Sequence, residues 1–166
     1  MDLALENLEQ YGRRDNLEFI GIPQQPNENT NEIIKKLVKK LNITLNDRDI
    51  SISHRLQRNI GSKNPENNDH PPIIVRFTNR AIRNEIYKKR NCIQQISNFE
   101  IQGMEKMYIN ENLTNFRKQL FNMARKLQKE HEYKFLWTNQ CQILVRKNAE
   151  ASALKISTIE DLHKIC

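Results

Sequence analysis

The chain has 166 residues and a formal net charge of +7 at pH 7, with 37% hydrophobic and 28% charged residues. This length and composition support one medium domain or two small ones and exclude a disordered chain. No apolar stretch reaches the roughly 18 to 20 residues of a membrane helix, and the acidic N-terminus is untypical of a signal peptide, so we expect a soluble, intracellular protein. The positive charge favours a polyanionic partner, either nucleic acid or an anionic membrane surface.

Signatures of catalysis and metal binding are missing from the sequence. The three cysteines, Cys92, Cys141 and Cys166, are odd in number and widely spaced, which argues against a disulfide framework and a paired-cysteine zinc site. There is no glycine-rich phosphate loop, nucleophile elbow, HExxH helix or two-metal carboxylate cluster, and the four histidines are scattered. We therefore expect a protein that is not an enzyme and that needs no cofactor or metal.

The first predicted elements are a short helix and a strand. Leu5 and Leu8, three residues apart within residues 3–11, indicate the last turns of a helix or of a heptad seam. Residues 16–23, NLEFIGIP, alternate in polarity and end in glycine and proline, which predicts the first strand.

A capped helix and a half-buried strand follow. Asn29 and Glu32 have the spacing of a capping box, and apolar residues repeat at intervals of three and four as far as Leu41, which predicts an amphipathic helix. Residues 49–56, DISISHRL, alternate with the period of a strand. This pattern places the two isoleucines and His54 on the buried face.

Two more strands and a helix complete the first predicted sheet. Residues 57–72 have the composition of an exposed loop, and residues 73–78, IIVRFT, predict the third strand. Thr78 or Asn79 caps a second helix, and residues 107–110, MYIN, predict the fourth strand. The order strand, helix, strand, strand, helix, strand predicts an RNA-recognition-motif-like (ferredoxin-like) sheet with both helices on one face.

The C-terminal part has a different pattern. Residues 112–131 form a long amphipathic helix, residues 134–147 a hairpin, and residues 157–165 a closing helix. We expect an α+β protein in which the sheet domain is followed by a small α+β C-terminal domain. The predicted division is 1–12 for the end of an N-terminal helix or coiled coil, 13–110 for the sheet domain and 111–166 for the C-terminal domain.

The third strand carries a candidate binding residue. Its alternation places Arg76 on the free face of the sheet, and the following cations, Arg80 and Arg83 among them, extend a positive edge beside that face. Arg76 can stack on a base or pair with a phosphate. It can equally pair with Glu18 of the first strand, and both alternatives stay open.

The long C-terminal helix carries a basic stripe. Lys118, Arg125 and Lys129 fall within a narrow arc opposite the apolar side, whereas Arg117 lies at the flank of that side. The arc is either an anion-binding stripe or a solvated face, and the scarcity of acidic residues before Glu130 favours binding. Arg117 is the stronger candidate, because its position points it toward the junction of the predicted domains.

The hairpin adds Arg146 beside several aromatic residues that could supply stacking surface. For Phe135 and Trp137, packing in the core is the favoured role. Tyr133 lies in a polar run and is expected to be exposed.

Several stretches together resemble one family of proteins. They are RRDNLEFIGIP, DISISHRL, PPIIVRFT, YINENLT and the hairpin KFLWT…QILVRK. In this order they are similar to the RNA-binding protein encoded by the first reading frame of non-LTR (LINE-type) retrotransposons, and to the related domain of the baculovirus FP protein. The resemblance extends from about Leu5 to Ile165.

The resemblance implies a fold, a function and two site residues. In that family a coiled coil assembles trimers, and an RNA-recognition-motif-like domain and a small C-terminal domain hold single-stranded RNA between them. The protein coats its own transcript and acts as a nucleic-acid chaperone. Arg76 matches the family's strand arginine, and Arg117 matches its arginine near the start of the C-terminal helix.

Two departures modify this expectation. Glu18 and Ile74 occupy the positions that carry stacking aromatics in ordinary RNA-recognition motifs, so we expect charge-dependent binding with weak sequence preference. Almost none of the coiled coil is present, so we expect trimerisation through an upstream coiled coil to be absent from this chain.

We therefore expect a non-enzymatic module that binds single-stranded RNA, with single-stranded DNA as a second ligand, along a basic cleft between its two domains. The expected location is a cytoplasmic ribonucleoprotein, with the nucleus as a further location, and no membrane partner is expected. The predicted binding residues are Arg76, Arg117, Arg55, Arg80, Arg83, Lys118, Arg125 and Arg146. Two rival interpretations stay open: a baculovirus FP-like protein-interaction module in virion or occlusion-body assembly, and an enzyme with an unrecognised site.

Overall fold

The predicted α+β class is confirmed by the structure, a computed structural model that describes residues 2–57, 70–96 and 100–166. The helices of these residues are α1 (Leu3–Gly12), α2 (Thr30–Lys39), α3 (Arg80–Lys88), α4 (Arg90–Ile93) and α5 (Asn115–Glu130). The strands are β1 (Asn16–Ile20), β2 (Ile50–Arg55), β3 (Ile73–Phe77), β4 (Tyr108–Glu111), β5 (Phe135–Asn139), β6 (Gln142–Arg146) and β7 (Leu154–Ile156). Short 3-10 helices cover Asp47–Asp49 and Glu160–Lys164.

The chain divides into two compact units. The central unit is Asp15–Asn112, and the terminal unit joins the residues up to Arg14 to Leu113–Cys166. Helix α1, which the sequence predicts as a segment of its own, therefore shares a unit with α5 and the strands β5 to β7. Residues 58–69 of the predicted loop lie outside the described residues.

Alternating apolar residues build the sheet of the central unit, whose strand order is β2-β3-β1-β4 with all neighbours antiparallel. Residues directly opposite each other in such a pair point to the same face. Leu17 lies opposite Val75, Phe19 lies opposite both Ile73 and Ile109, and all five are almost fully buried. Apolar residues of α2 and α3 pack against them, and each buried side chain stabilises the fold by about 1.5–3 kcal/mol.

A β-bulge in β2 overturns the predicted facing of that strand. Ile50 and Ile52 are two residues apart but pair with neighbouring residues of β3, so one residue of β2 is extra. Ile50 stays buried, whereas Ile52 is 57% exposed and His54 is also exposed. The prediction that these three side chains share the buried face is wrong, because an extra residue moves every later side chain to the opposite face.

Side-chain caps begin α2 and α3 where the sequence predicts them. Asn29 accepts a hydrogen bond from the Glu32 backbone N–H, and Asn79, rather than Thr78, caps α3. Thr114 caps α5 in the same way, so this helix begins at Asn115, three residues later than predicted. Each cap satisfies a backbone N–H that the helix itself cannot pair.

The small sheet of the terminal unit has the order β5-β6-β7 and packs one face on α5. Leu120 and Ala124 of α5 meet buried side chains of the strands, among them Ile143 and Val145. The predicted hairpin is confirmed, and its two turn residues after Asn139 have positive φ, as a tight type I′ turn requires. Strand β7 is not predicted from the sequence, because it has only three residues. The predicted closing helix is a 3-10 helix.

A buried ion pair lies between α3 and β4. Arg83 Nη2 donates to Glu111 Oε2 at 2.6 Å, and the side chain of Arg83 is only 2% exposed. The arginine also donates to Asn84 Oδ1 at 3.1 Å and stands over the ring of Tyr87. A buried charge of this kind is tolerated because its partner is buried with it.

We predict that Arg83→Leu lowers the free energy of unfolding by about 3–5 kcal/mol, because it leaves the Glu111 carboxylate buried without a counter-charge. Urea unfolding of the full chain measures this loss. The double variant Arg83→Leu with Glu111→Leu should be more stable than Arg83→Leu alone, because it removes both charges together. Equal stability of the single and double variants would contradict the interpretation.

Candidate functional site

Arg55, a predicted binding residue, is engaged inside the central unit. Its Nε and Nη2 donate to both carboxylate oxygens of Glu28 at 2.7 and 2.9 Å. Its remaining bonds reach the backbone carbonyls of Ile22, Pro23 and Pro71. All the N–H donors of an arginine are thereby used, so Arg55 joins the chain after β1 to the chain before β3 and has none left for a ligand.

The pKa of the Glu28 carboxyl reflects its pairing with Arg55. The hydrogen bond from Arg55 lowers the pKa of the Glu28 carboxyl below its ordinary value of 4.5, and the backbone N–H of Gln25 acts in the same direction. Burial opposes the shift but does not cancel it. The carboxylate is therefore ionised at neutral pH and neutralises the arginine that it binds.

Arg83 is also unsuited to contact a ligand. The sequence predicts it on the positive edge beside Arg76, but in the structure it is buried against Glu111. The sequence pattern misleads because the helix face of Arg83 also carries Ile86 and packs on the sheet. We therefore regard Arg83 as a core residue.

Arg117, the stronger of the helix candidates, fastens α1 to the rest of the terminal unit. Its Nε and Nη2 donate to the two carboxylate oxygens of Glu6 at 2.9 and 3.1 Å. Its Nη2 also donates to Asn7 Oδ1 at 2.9 Å, and its Nη1 donates to the carbonyl of Cys141 at 2.8 Å. One side chain thus connects α1, the start of α5 and the hairpin turn.

Glu6 and Gln10 explain why α1 turns a polar side inward. The Thr114 hydroxyl donates to Glu6 Oε1 at 2.7 Å, and the Thr114 backbone N–H donates to Gln10 Oε1 at 2.9 Å. A carboxylate beside the first turn of α5 also interacts favourably with the partial positive charge of that helix end. This network pairs buried polar groups on both helices. It borders a small cavity of about 170 Å³, which is lined by Glu6, Arg117 and Ser157 among others.

Arg76 is placed differently from these three arginines. It is exposed, and the described part of the chain gives it no hydrogen-bond or ion-pair partner. Glu18, the predicted alternative partner of Arg76, is buried and accepts a hydrogen bond from Asn112 Nδ2 at 2.8 Å. The question that the sequence leaves open is answered, since Arg76 does not pair with Glu18.

Arg76 belongs to a face of the central sheet that the helices leave uncovered, which we call the open face. Its pairing partners in the strands define that face, because opposite residues point the same way. The side chains of the open face that are at least partly exposed include Ile52, His54, Ile74, Arg76, Tyr108 and Asn110. Tyr108 is 42% exposed and adds an aromatic ring to this face, whereas Met107 and Ile109 on either side of it are buried. Tyr108 is not among the binding residues predicted from the sequence.

The remaining predicted cations lie at the surface. Arg80 donates to Asp15 Oδ1 at 3.2 Å and is about half exposed. Lys118 and Arg125 are exposed on α5, and the Arg125 Cζ atom stands 5.0 Å from the centre of the Phe121 ring. These side chains contribute positive charge without a defined geometry around a ligand.

Arg146 packs against two aromatic rings. Its Cζ atom lies 4.8 Å from the centre of the Phe135 ring and 5.8 Å from that of Trp137. The structure does not bury these two rings in the core as predicted, because Phe135 is 39% exposed and Trp137 is only partly buried. Tyr133, expected at the surface, is buried in the core of the terminal unit instead.

Within the described residues, no group of three or more His, Cys, Asp and Glu side chains is arranged to hold a metal ion. No helix in that part of the chain has the length and apolar character needed to cross a membrane.

Comparison with known protein families gives a match for the C-terminal part of the chain. Residues 114–166 match the family described as Baculovirus FP protein domain 2. The matched region contains α5 and the small sheet, and it covers none of the central unit. The predicted resemblance to the baculovirus FP protein is thus confirmed for these residues. No curated protein matches the chain.

We predict that Arg117→Ala lowers the free energy of unfolding by about 2–3 kcal/mol, because it leaves the Glu6 carboxylate without its charged donor. Thermal and urea unfolding of the full chain measure the change. Arg125→Ala serves as the matched control, since it removes an exposed arginine of the same helix. Equal stability of the two variants would show that Arg117 does not have the structural role inferred from its contacts.

Proposed function

We propose that the protein is a non-enzymatic module that binds single-stranded nucleic acid, RNA in preference to DNA, with weak sequence preference. The observation that carries this proposal is Arg76, an exposed cation on the open face that has no partner among the described residues. A cation without a counter-ion on an uncovered sheet surface is suited to a phosphate or to the face of a base. Tyr108 offers a ring on the same surface.

We further propose that the central unit has the ferredoxin-like fold of RNA-recognition motifs. The strand order β2-β3-β1-β4 with antiparallel neighbours and the order of strands and helices along the chain support it. In RNA-recognition motifs the uncovered face of the sheet holds the nucleic acid. The absence of aromatic residues at Glu18 and Ile74 is consistent with binding that depends mainly on charge.

The biological setting that we propose is a ribonucleoprotein in the cytoplasm, in which the protein acts as a coat or chaperone of the RNA of a non-LTR retrotransposon. This setting rests on the sequence resemblance of RRDNLEFIGIP and IIVRFT alone. The match of residues 114–166 to the baculovirus FP domain supports the alternative setting of a viral assembly.

The first test is the binding of a labelled single-stranded RNA of 20 nucleotides to the full chain, measured by fluorescence anisotropy over a salt series. We expect binding that weakens steeply with salt. Arg76→Ala should weaken the affinity about tenfold, as the loss of a charged hydrogen bond implies, and should lower the salt slope by about 0.7.

Lys36→Ala is the matched control, because Lys36 is an exposed cation on α2, a helix that packs on the other face of the sheet. It should keep most of the affinity. If the unmodified chain does not bind RNA at low salt, the proposed function fails. If both variants lose affinity equally, binding follows total charge and the open face has no special role.

A protein-interaction module is the second candidate function, and helix α1 favours it. The polar side of α1 faces inward, whereas Leu5 and Leu8 are 64% and 67% exposed, and Leu3 and Tyr11 are exposed beside them. The spacing of Leu5 and Leu8 fits a coiled-coil seam. We propose that this apolar surface binds a second copy of the chain.

Sedimentation analysis of the full chain over a range of concentrations tests this proposal. We expect self-association, and we expect Leu5→Gln with Leu8→Gln to remain monomeric because the apolar surface is lost. Met123→Gln is a suitable control, since it changes a partly exposed apolar residue on α5. A monomeric unmodified chain at all concentrations would refute self-association through α1.

A further inference from the structure

The small sheet of the terminal unit has a second face, turned away from α5, which we call the outer face. Phe135 pairs with Arg146, Trp137 pairs with Leu144, and Leu144 pairs with Lys155, so these side chains share one surface. The alternate residues, such as Ile143 and Val145, form the core on the other side. The outer face consists of Phe135, Trp137, Leu144, Arg146 and Lys155.

The outer face exposes aromatic surface. Phe135 is the more exposed of the two rings, while Trp137 and Leu144 next to it are partly buried. Single apolar residues at the surface need no explanation, but here three adjoin one another on one flat surface. A contiguous patch of this kind indicates a site where another molecule binds.

Arg146 holds a positive charge against this patch and has no counter-ion in the part of the chain that the structure describes. Its only described interactions are with the two rings, and its Nε is buried without a hydrogen-bond partner. The strands β5, β6 and β7 contain no Asp or Glu, and Lys155 adds a second exposed cation on the outer face. The guanidinium therefore lacks the neutralising carboxylate that Arg55, Arg83 and Arg117 each have.

Stacking rings beside unpaired cations suit one class of ligand in particular. A nucleobase presents an apolar π-face to a ring, and the phosphate next to it presents a negative charge to an arginine. An acidic peptide also carries negative charge, but its backbone polar groups would meet the rings without hydrogen-bond partners. The backbone of β6 is paired on both sides and could not supply them.

We propose that the outer face is a base-stacking subsite for single-stranded nucleic acid, in which a base lies on the Phe135–Arg146 pair and Arg146 and Lys155 face the neighbouring phosphates. This inference rests on the proposed function. It adds a second contact surface, in the terminal unit, to the open face of the central unit.

Trp137 makes the subsite observable, because it is the only tryptophan of the chain. Titration of the unmodified full chain with oligouridylate of 20 nucleotides should change the Trp137 fluorescence in parallel with the anisotropy of a labelled sample. A polyglutamate peptide of equal charge serves as the comparison ligand and should leave the tryptophan fluorescence unchanged.

Variants at Phe135 and Arg146 separate stacking from charge. Phe135→Leu should weaken the affinity about fivefold or more, whereas Phe135→Tyr, which keeps the ring, should retain it. Arg146→Gln should weaken binding and lower the salt slope by about 0.7. Arg48→Gln is the matched control, because Arg48 is an exposed arginine of the central unit that is not among the predicted binding residues. Thermal unfolding confirms that each variant is folded.

The outcomes distinguish this inference from the proposed function. If RNA produces no anisotropy change with the unmodified chain, both fail. If RNA binds but the Trp137 fluorescence does not change and Phe135→Leu binds like the unmodified chain, only the subsite is refuted. Equal effects of Arg146→Gln and Arg48→Gln would also refute it, because the effect would then come from the general positive charge. A response of Trp137 to polyglutamate equal to that to RNA would assign the outer face to an acidic protein instead.

Discussion

The charge of a buried arginine is costly unless an opposite charge is buried beside it, and much of this structure follows from that constraint. Glu28 neutralises Arg55, Glu111 neutralises Arg83 and Glu6 neutralises Arg117. These three pairs lie between segments that are distant in the sequence, and each also involves further hydrogen bonds to neighbouring groups. An apolar core fills the rest of each unit, so most of the stability comes from the burial of apolar side chains rather than from the ion pairs.

The same constraint separates structural arginines from available ones. Because each of these three arginines is paired with a glutamate, the pairs are neutral, and the excess of positive charge is carried by side chains outside them. Arg76 and Arg146 stand out among those side chains for different reasons. Arg76 is exposed on the open face and has no partner among the residues that the structure describes, and Arg146 is held in place by aromatic rings on the outer face. An arginine that is already ordered by packing loses less side-chain entropy when it binds a ligand.

The secondary structure was largely predictable from the sequence, because it depends on local patterns. The spacing of apolar residues predicts α2, α5 and the strands of the larger sheet, and the polar residues before α2 and α3 predict the caps of these two helices. The facing of β2 was not predictable, because the bulge depends on pairing with β3. The roles of Arg55 and Arg117 were hidden for a similar reason, since their glutamate partners lie far away in the chain. Phe135 and Trp137 were misplaced because an apolar hairpin does not reveal which of its faces is covered.

The pairing of α1 with α5 has a consequence for the order in which the chain acquires its structure. Glu6 and Arg117 are separated by 111 residues, and the carbonyl of Cys141 that completes their cluster comes later still. During synthesis on the ribosome, all of Asp15–Asn112 is made before the partners of α1 exist. Helix α1 is too short to be stable alone, so it stays unfolded or only transiently helical while the central unit forms. The residues of α1 are therefore synthesised before Asp15–Asn112 but reach their final position only after α5 and the hairpin turn have been made, and the exposed leucines of α1 become ordered at that stage.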